Sequence, residues 1–226
     1  MVRLVGRCRD ATPIPSSRPE RARHASRRLV ERPHERERPR SRRRWSAVPR
    51  HAFVPDAQRR GSAYADRPLP IGNGQTISAP HIVAIMCDIL DPDSGDSILE
   101  IGTGCGYHAA VMAELGADIY TVEYHESLAQ EARDRLHRLG YDVRVRHGDG
   151  REGWPAHAPY DGVYLTCAAP EIPDAILDQT RPGGQVVAPV GRAAQRLVGV
   201  TVGEGTAIRE RTDHGGVRFV PLLGDD

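Results

Sequence analysis

The chain has 226 residues and a net charge of +1 that conceals two opposite parts: the first 50 residues carry 16 arginines against five acids, and the rest carry 15 arginines against 25 acids. No run approaches the roughly 18 apolar residues of a membrane helix, and the Arg-rich start has no apolar stretch behind it to make a secretory signal. The cysteines Cys8, Cys87, Cys105 and Cys167 form no CxxC pair, so the expectation is a cytoplasmic chain with reduced thiols, no metal site and no membrane contact.

Residues 1–46 hold Arg42-Arg43-Arg44 and the prolines Pro13, Pro15, Pro19, Pro33 and Pro39, with little apolar surface to offset ordering. They read as a basic, disordered segment before a domain at 47–226. Within it, residues 31–46 admit three readings: a basic tail for an acidic partner, an unselected linker, or text translated out of frame. Residues 48–80 are rich in Pro and Gly, and their apolar anchors Phe53, Val54, Tyr64, Leu69 and Ile71 make them a loop that packs over something. A helix is predicted over 80–90, with Pro80 suited to its first turn. A short apolar strand over 97–101 runs into Gly102-Thr103-Gly104-Cys105-Gly106, followed by a helix over 107–115 closed by Gly116. Next come a strand over 118–122, a helix over 127–139, strands over 143–147 and 162–166, a helix over 173–179 and a strand over 185–190. Strands at 195–202 and 206–211, joined by Gly203-Glu204-Gly205, and a last strand near 217–222 complete the chain. This alternation predicts an α/β fold with a doubly wound, Rossmann-like sheet, mostly parallel with antiparallel strands at the C-terminal end.

The glycines after the first strand of this alternation let the backbone turn tightly and let a ligand approach without meeting a Cβ. A tight βα turn without a ligand would use the same residues. Glu123 adds weight, because it lies 21 residues beyond Gly102 at the end of the next strand, where a carboxylate accepts from two ribose hydroxyls. Dinucleotide sites favour G-x-G-x-x-G, with a helix N-terminus facing a pyrophosphate. Here the third glycine comes one position early, which favours S-adenosylmethionine, a cofactor without phosphate. His147-Gly148-Asp149-Gly150 closes the third strand, with Asp149 placed to accept from an adenine amino group.

Over about residues 48–224 the chain resembles the protein-L-isoaspartate O-methyltransferase family. The resemblance rests on Val48-Pro49-Arg50-His51-Ala52-Phe53-Val54-Pro55 and on the block from Ala63 to Pro80, which includes Pro70-Ile71-Gly72-Asn73-Gly74-Gln75-Thr76-Ile77-Ser78. It also rests on Leu99-Glu100-Ile101-Gly102-Thr103-Gly104, Gly148-Asp149-Gly150, Ala158-Pro159-Tyr160-Asp161 and Val217-Arg218-Phe219-Val220-Pro221-Leu222. It implies methyl transfer from S-adenosylmethionine to the carboxylate of isoaspartyl residues in damaged proteins, hence a polypeptide partner and a repair role. It assigns the cofactor to Ile101, Gly102, Thr103, Gly104, Glu123, Gly148, Asp149 and Gly150. It assigns the substrate to Thr76, Ile77 and Ser78, with Ser78 as the group that orients the carboxylate. It also implies a strand order at the end of the sheet that departs from other methyltransferases. Cys105 stands where many members have Ser, and His108 where many have Gln; neither needs a catalytic role.

A carboxyl group with a reference pKa near 4 is ionised at neutral pH, so the reaction needs no general base and no covalent enzyme intermediate. Ser78 has a second reading as the N-cap of the helix beginning at Pro80. Asp66 and Arg67 read as a loop brace. Rival functions are a methyltransferase of the same fold acting on RNA or a small molecule, and an inactive cofactor-binding scaffold. The acidic, lysine-free body argues against a nucleic-acid partner and fits either a salt-adapted organism or a GC-rich genome.

Overall fold

In the computed structural model, which describes residues 47–55 and 60–224, a seven-stranded sheet runs through the middle of the domain. The expectations for residues 1–46 lie outside the described residues. A small antiparallel hairpin, β1 (Leu69–Gly72) and β2 (Gln75–Ile77), precedes helix α1 (Pro80–Leu90). Then follow β3 (Ser97–Ile101), α2 (Tyr107–Leu115), β4 (Asp118–Glu123), α3 (Glu126–Arg138), β5 (Val143–His147), β6 (Tyr160–Leu165), α4 (Asp174–Asp178), β7 (Thr180–Val190), β8 (Gln195–Val202) and β9 (Ile208–Val217). No helix among the described residues is long and apolar enough to cross a membrane.

The sheet order is β5-β4-β3-β6-β7-β8-β9, parallel through β7 and antiparallel from β7 to β9. Its last three strands sit in plain chain order. Strand β3 shows why the sheet is buried on both faces. Its side chains alternate, so Ile98 joins the core under α1 and α2, while Leu99 and Ile101 join the core built with β6, β7 and α4. Glu100 shares the face of Ile98 and is wholly buried there.

Four elements differ from the sequence reading, the first being β7, which begins at Thr180 rather than 185. The hairpin was expected as loop, yet its two-residue connection Asn73-Gly74 has positive φ at both positions (49° and 71°), the type I′ geometry that this dipeptide favours. Strand β9 extends to Val217, well past the expected end at 211. Past Val217, where β9 ends, no further strand forms over the expected 217–222 among the described residues. Pro221 has no N–H to give to a ladder, and the segment is held where Ala168 N donates to Val220 O and Leu222 N donates to Ala168 O, each at 2.8 Å, and by the Gln195 side chain at Phe219.

Candidate functional site

The order of the sheet reverses direction at β3, whose successor β4 lies on one side and β6 on the other. In open α/β sheets the crevice outside the carboxyl ends of the strands at such a point is where ligands bind. Ile101, Val122 and Leu165 lie side by side in register there. Just beyond them a cleft of about 720 Å³ is bordered by the turn after β3, by Glu123 and by Thr166.

The turn itself is dictated by its glycines. Gly102 has φ +92°, and a Cβ there would collide with Thr166 Oγ1; Gly104 has φ +54°, and its Cβ would sit 3.1 Å from Ile71. Both positions therefore present bare backbone to the cleft. Glu123, nearly buried, accepts from Gly104 N (2.8 Å, Oε2) and from His125 N (3.0 Å, Oε1). Each oxygen keeps a lone pair, so the carboxylate is fixed in place and still able to accept from a diol.

Across the cleft lies the hairpin. Its tip is tied to the opposite wall by Asn73 Nδ2 donating to Ser127 Oγ (3.0 Å) and by a 3.3 Å contact between Gln75 Nε2 and His125 Nε2. The hairpin thus bridges the cleft and brings Thr76, Ile77 and Ser78 to its border. A second cavity, a groove of about 2010 Å³, opens beside the first and shares Thr76, Ser78, Thr166 and Val220 with it. Ser78 therefore stands where the two spaces meet.

Helix α1 is capped without Ser78. Ala79 occupies the N-cap with no side-chain cap, and Asp66 Oδ1 instead accepts from His81 N (3.0 Å) and contacts His81 Nδ1 at 2.8 Å. These two bonds hold the Asp66 carboxyl below the usual carboxylate range. Asp66 is thus a brace for the helix start and not a reacting group, while Arg67 contributes its carbonyl to Arg50.

Of the residues expected to meet the cofactor, Ile101, Gly102, Thr103, Gly104, Glu123 and Gly150 border the cleft. Gly148 and Asp149 do not. The Asp149 carboxylate is held by Arg151, through Nε (2.9 Å) and Nη2 (2.8 Å), and caps the following 3-10 turn by accepting from Arg151 N. Gly150 is a glycine because a Cβ would run into Ile101.

Three residues to which the sequence reading gave no role of their own matter here, Arg50, Glu100 and Tyr164, together with His108. Arg50, 1% exposed, sends its guanidinium to three backbone carbonyls, Ala63, Ser78 and Arg67, and lies over the Tyr107 ring. On the cleft floor, Glu100 accepts from Thr121 Oγ1 (2.6 Å) and from Tyr164 OH (2.9 Å). Burial pushes Glu100 up to about 8 and the neighbouring His108 imidazole down to about 3, so both are neutral near pH 7. Tyr164 joins them, with its ring 4.3 Å from that of His108. His108 Nδ1 is buried and has no partner among the described residues, an orphaned polar atom on a residue bordering the cleft. Burial raises the Cys105 thiol to about 11, which leaves it protonated and unfit as a nucleophile.

Residues 32–226 match the family described as Protein-L-isoaspartate(D-aspartate) O-methyltransferase (PCMT). The chain is 52% identical over 182 residues to Protein-L-isoaspartate O-methyltransferase 2 of Archaeoglobus fulgidus, covering 79% of this chain and 82% of that protein. It is 52% identical over 185 residues to the Protein-L-isoaspartate O-methyltransferase of Methanopyrus kandleri, covering 79% and 81%. Among solved structures, a protein-L-isoaspartate O-methyltransferase superimposes with a TM-score of 0.73 at 26% identity, over 79% of this chain and 59% of that one. A Plasmodium falciparum protein in complex with S-adenosyl-L-homocysteine superimposes with a TM-score of 0.66 at 21% identity, over 79% of this chain and 87% of that one.

Proposed function

The chain belongs to the protein-L-isoaspartate(D-aspartate) O-methyltransferase family, and we propose that Glu123, the Gly102–Gly104 turn and Ser78 perform the family's reaction in it. It is an S-adenosylmethionine-dependent enzyme that methylates the carboxylate of L-isoaspartyl residues and so initiates repair of damaged proteins.

S-adenosylmethionine supplies an electrophilic methyl group on a sulfonium. The chain's own task is to hold the partners in line and keep water out. Glu123 is fixed by two backbone N–H groups and offers its remaining lone pairs to the ribose hydroxyls. The bare backbone of Gly102 and Gly104 lets the nucleoside and amino-acid parts lie close. Ile101, Thr103 and Gly150 line the same cleft. Gly148 and Asp149 act indirectly, by shaping the turn that sets Gly150. The neutral Glu100 and His108 leave the floor without a formal charge that would solvate the reacting ions too well.

The single observation that carries the substrate side is the position of Ser78 at the junction of cleft and groove. A hydroxyl there orients an incoming carboxylate without adding a competing charge, and Thr76 and Ile77 set its approach. The carboxylate arrives ionised, so no residue is needed as a base. Labelled methyl transfer to an isoaspartyl peptide, set against its normal aspartyl twin, tests the reading; equal labelling of both would overturn it.

The enzyme acts on polypeptides in the cytoplasm and not on nucleic acid, a reading supported by the 25 acids against 15 arginines beyond residue 50. The same acidic surface, without lysine, is suited to high salt. The domain begins near residue 47, although the family match extends back to residue 32.

A further inference from the structure

The groove beside the cofactor cleft is bordered by two arginines, and none of the described residues lining it is an acid. Arg192 and Arg218 border it, in a part of the chain where acids outnumber arginines 25 to 15, while His81 at its edge is held by Asp66. Arg192 and Arg218 are exposed, and neither forms an ion pair among the described residues.

Both arginines come from the same end of the β8–β9 pair. Gln195 faces Val217 in the antiparallel register, and its side-chain amide clasps the next segment, accepting from Phe219 N (2.6 Å) and donating to Phe219 O (3.1 Å). This clasp holds residues 218–220 beside β8, with Arg218 on the groove and Val220 on the wall shared with the cleft. The loop that carries Arg192 leads into the same strand. Ile85, 41% exposed, and the half-buried Ile82 give the groove an apolar surface. An apolar strip edged by two arginines without ion pairs among the described residues, continuous with the site of methyl transfer, has the shape and charge for an extended acidic polypeptide.

We propose that this groove holds the residues flanking the isoaspartate and selects substrates with Asp or Glu beside it, with Arg192 and Arg218 as specificity-determining residues. The inference rests on the reading that Ser78 receives the isoaspartyl carboxylate, because that reading places the flanking chain in the groove. Exposed ion pairs are individually weak, so the selectivity should be modest, sensitive to salt and expressed mainly in KM.

The test uses three isoaspartyl peptides, identical except for Glu, Gln or Lys on both sides of the isoaspartate, assayed with the full chain at saturating S-adenosylmethionine. KM should rise about three- to tenfold from the Glu to the Lys peptide, and the difference should shrink in molar KCl. A chain carrying Arg192→Glu and Arg218→Glu should reverse the order, with retained S-adenosylmethionine binding by calorimetry as proof of folding. Should that chain not fold, Arg192→Gln with Arg218→Gln reads the same ratio, which must fall toward one. Methylation of all three peptides with equal KM overturns the selectivity but leaves the isoaspartyl reading standing, as does a ratio unchanged by the substitutions. Transfer to none of the three overturns both.

Discussion

Arg50 Nη1 donates to the carbonyl of Ser78 at 2.6 Å, joining residues 28 positions apart in the chain. The same guanidinium reaches Ala63 O and Arg67 O, so one buried cation fixes three turns of the segment that carries the substrate-side residues. Its charge is shed toward carbonyl dipoles and the Tyr107 face, 5.0 Å away. Arg50→Lys keeps the charge and loses the fork. Two of the three carbonyls then lack their donor, with only that of Ala63 fully buried, at a cost of about 1–3 kcal/mol. Urea denaturation should show that loss, and turnover should fall more than cofactor affinity because Ser78 is released. An unchanged unfolding midpoint would mean that water or a neighbour replaces the guanidinium.

Glu123 should anchor the cofactor's ribose. Glu123→Ala is expected to weaken S-adenosylmethionine binding by about 1.5–3 kcal/mol, the range for hydrogen bonds to a charged group. Part of that loss comes from freeing the N–H groups of Gly104 and His125. Glu123→Gln keeps one acceptor oxygen and should lose less. Calorimetry decides, and equal affinity in the wild type and the alanine variant would remove Glu123 from the site.

Ser78 should matter to transfer and hardly to cofactor binding. The helix-cap alternative is closed by the geometry, since Ala79 is the N-cap and Asp66 serves the helix start. Ser78→Ala should therefore lower turnover on an isoaspartyl peptide while the cofactor Kd stays within about threefold, under 1 kcal/mol. Collapse of cofactor affinity instead would mean that the hydroxyl faces the cofactor.

Much of this architecture is written in local patterns. Buried parallel strands such as Ser97–Ile101 are short apolar runs ended by glycine, and Gly116 and Gly140 mark helix ends, so each is readable from a few residues. The β1–β2 hairpin was readable too, from Asn73-Gly74, but Pro70 and the brevity of its strands masked the signal. What sequence could not supply were relationships across space. Arg50 looks like any surface arginine until three separate carbonyls converge on it. The diversion of Asp149 to Arg151 depends on a side-chain rotamer, and the burial of Glu100 depends on which face of β3 meets the helices.

The acidic body should depend on salt. Self-repulsion among its excess acids is screened over a Debye length of about 10 Å at 0.1 M, so raising KCl from dilute buffer to molar should raise the melting temperature. A melting temperature indifferent to KCl would leave codon bias as the reason for the missing lysines.

Glu100 and His108 together shape how stability depends on pH. Burial moves Glu100 from an ordinary 4.5 up to about 8, and His108 from 6.5 down to about 3. Between 4.5 and 8 the unfolded chain has lost the Glu100 proton while the folded chain keeps it, so Glu100 lowers stability as pH rises. Between 3 and 6.5 the unfolded chain carries His108 charged while the folded ring stays neutral, so His108 raises stability as pH rises. The two slopes cancel from about 4.5 to 6.5, and above 6.5 only that of Glu100 remains. It amounts to about 1.4 kcal/mol per pH unit, or about 2 kcal/mol by pH 8. Glu100→Gln keeps the shape and removes the titration, so its stability relative to the wild type should improve by about that amount between pH 6.5 and 8. His108→Gln should instead uncover the Glu100 slope, making stability fall with pH from about 4.5 onward. Urea unfolding of the three proteins across pH 4–8 measures both effects. If the difference between wild type and Glu100→Gln is flat from pH 6.5 to 8, Glu100 is already ionised in the folded chain and the neutral cleft floor is wrong.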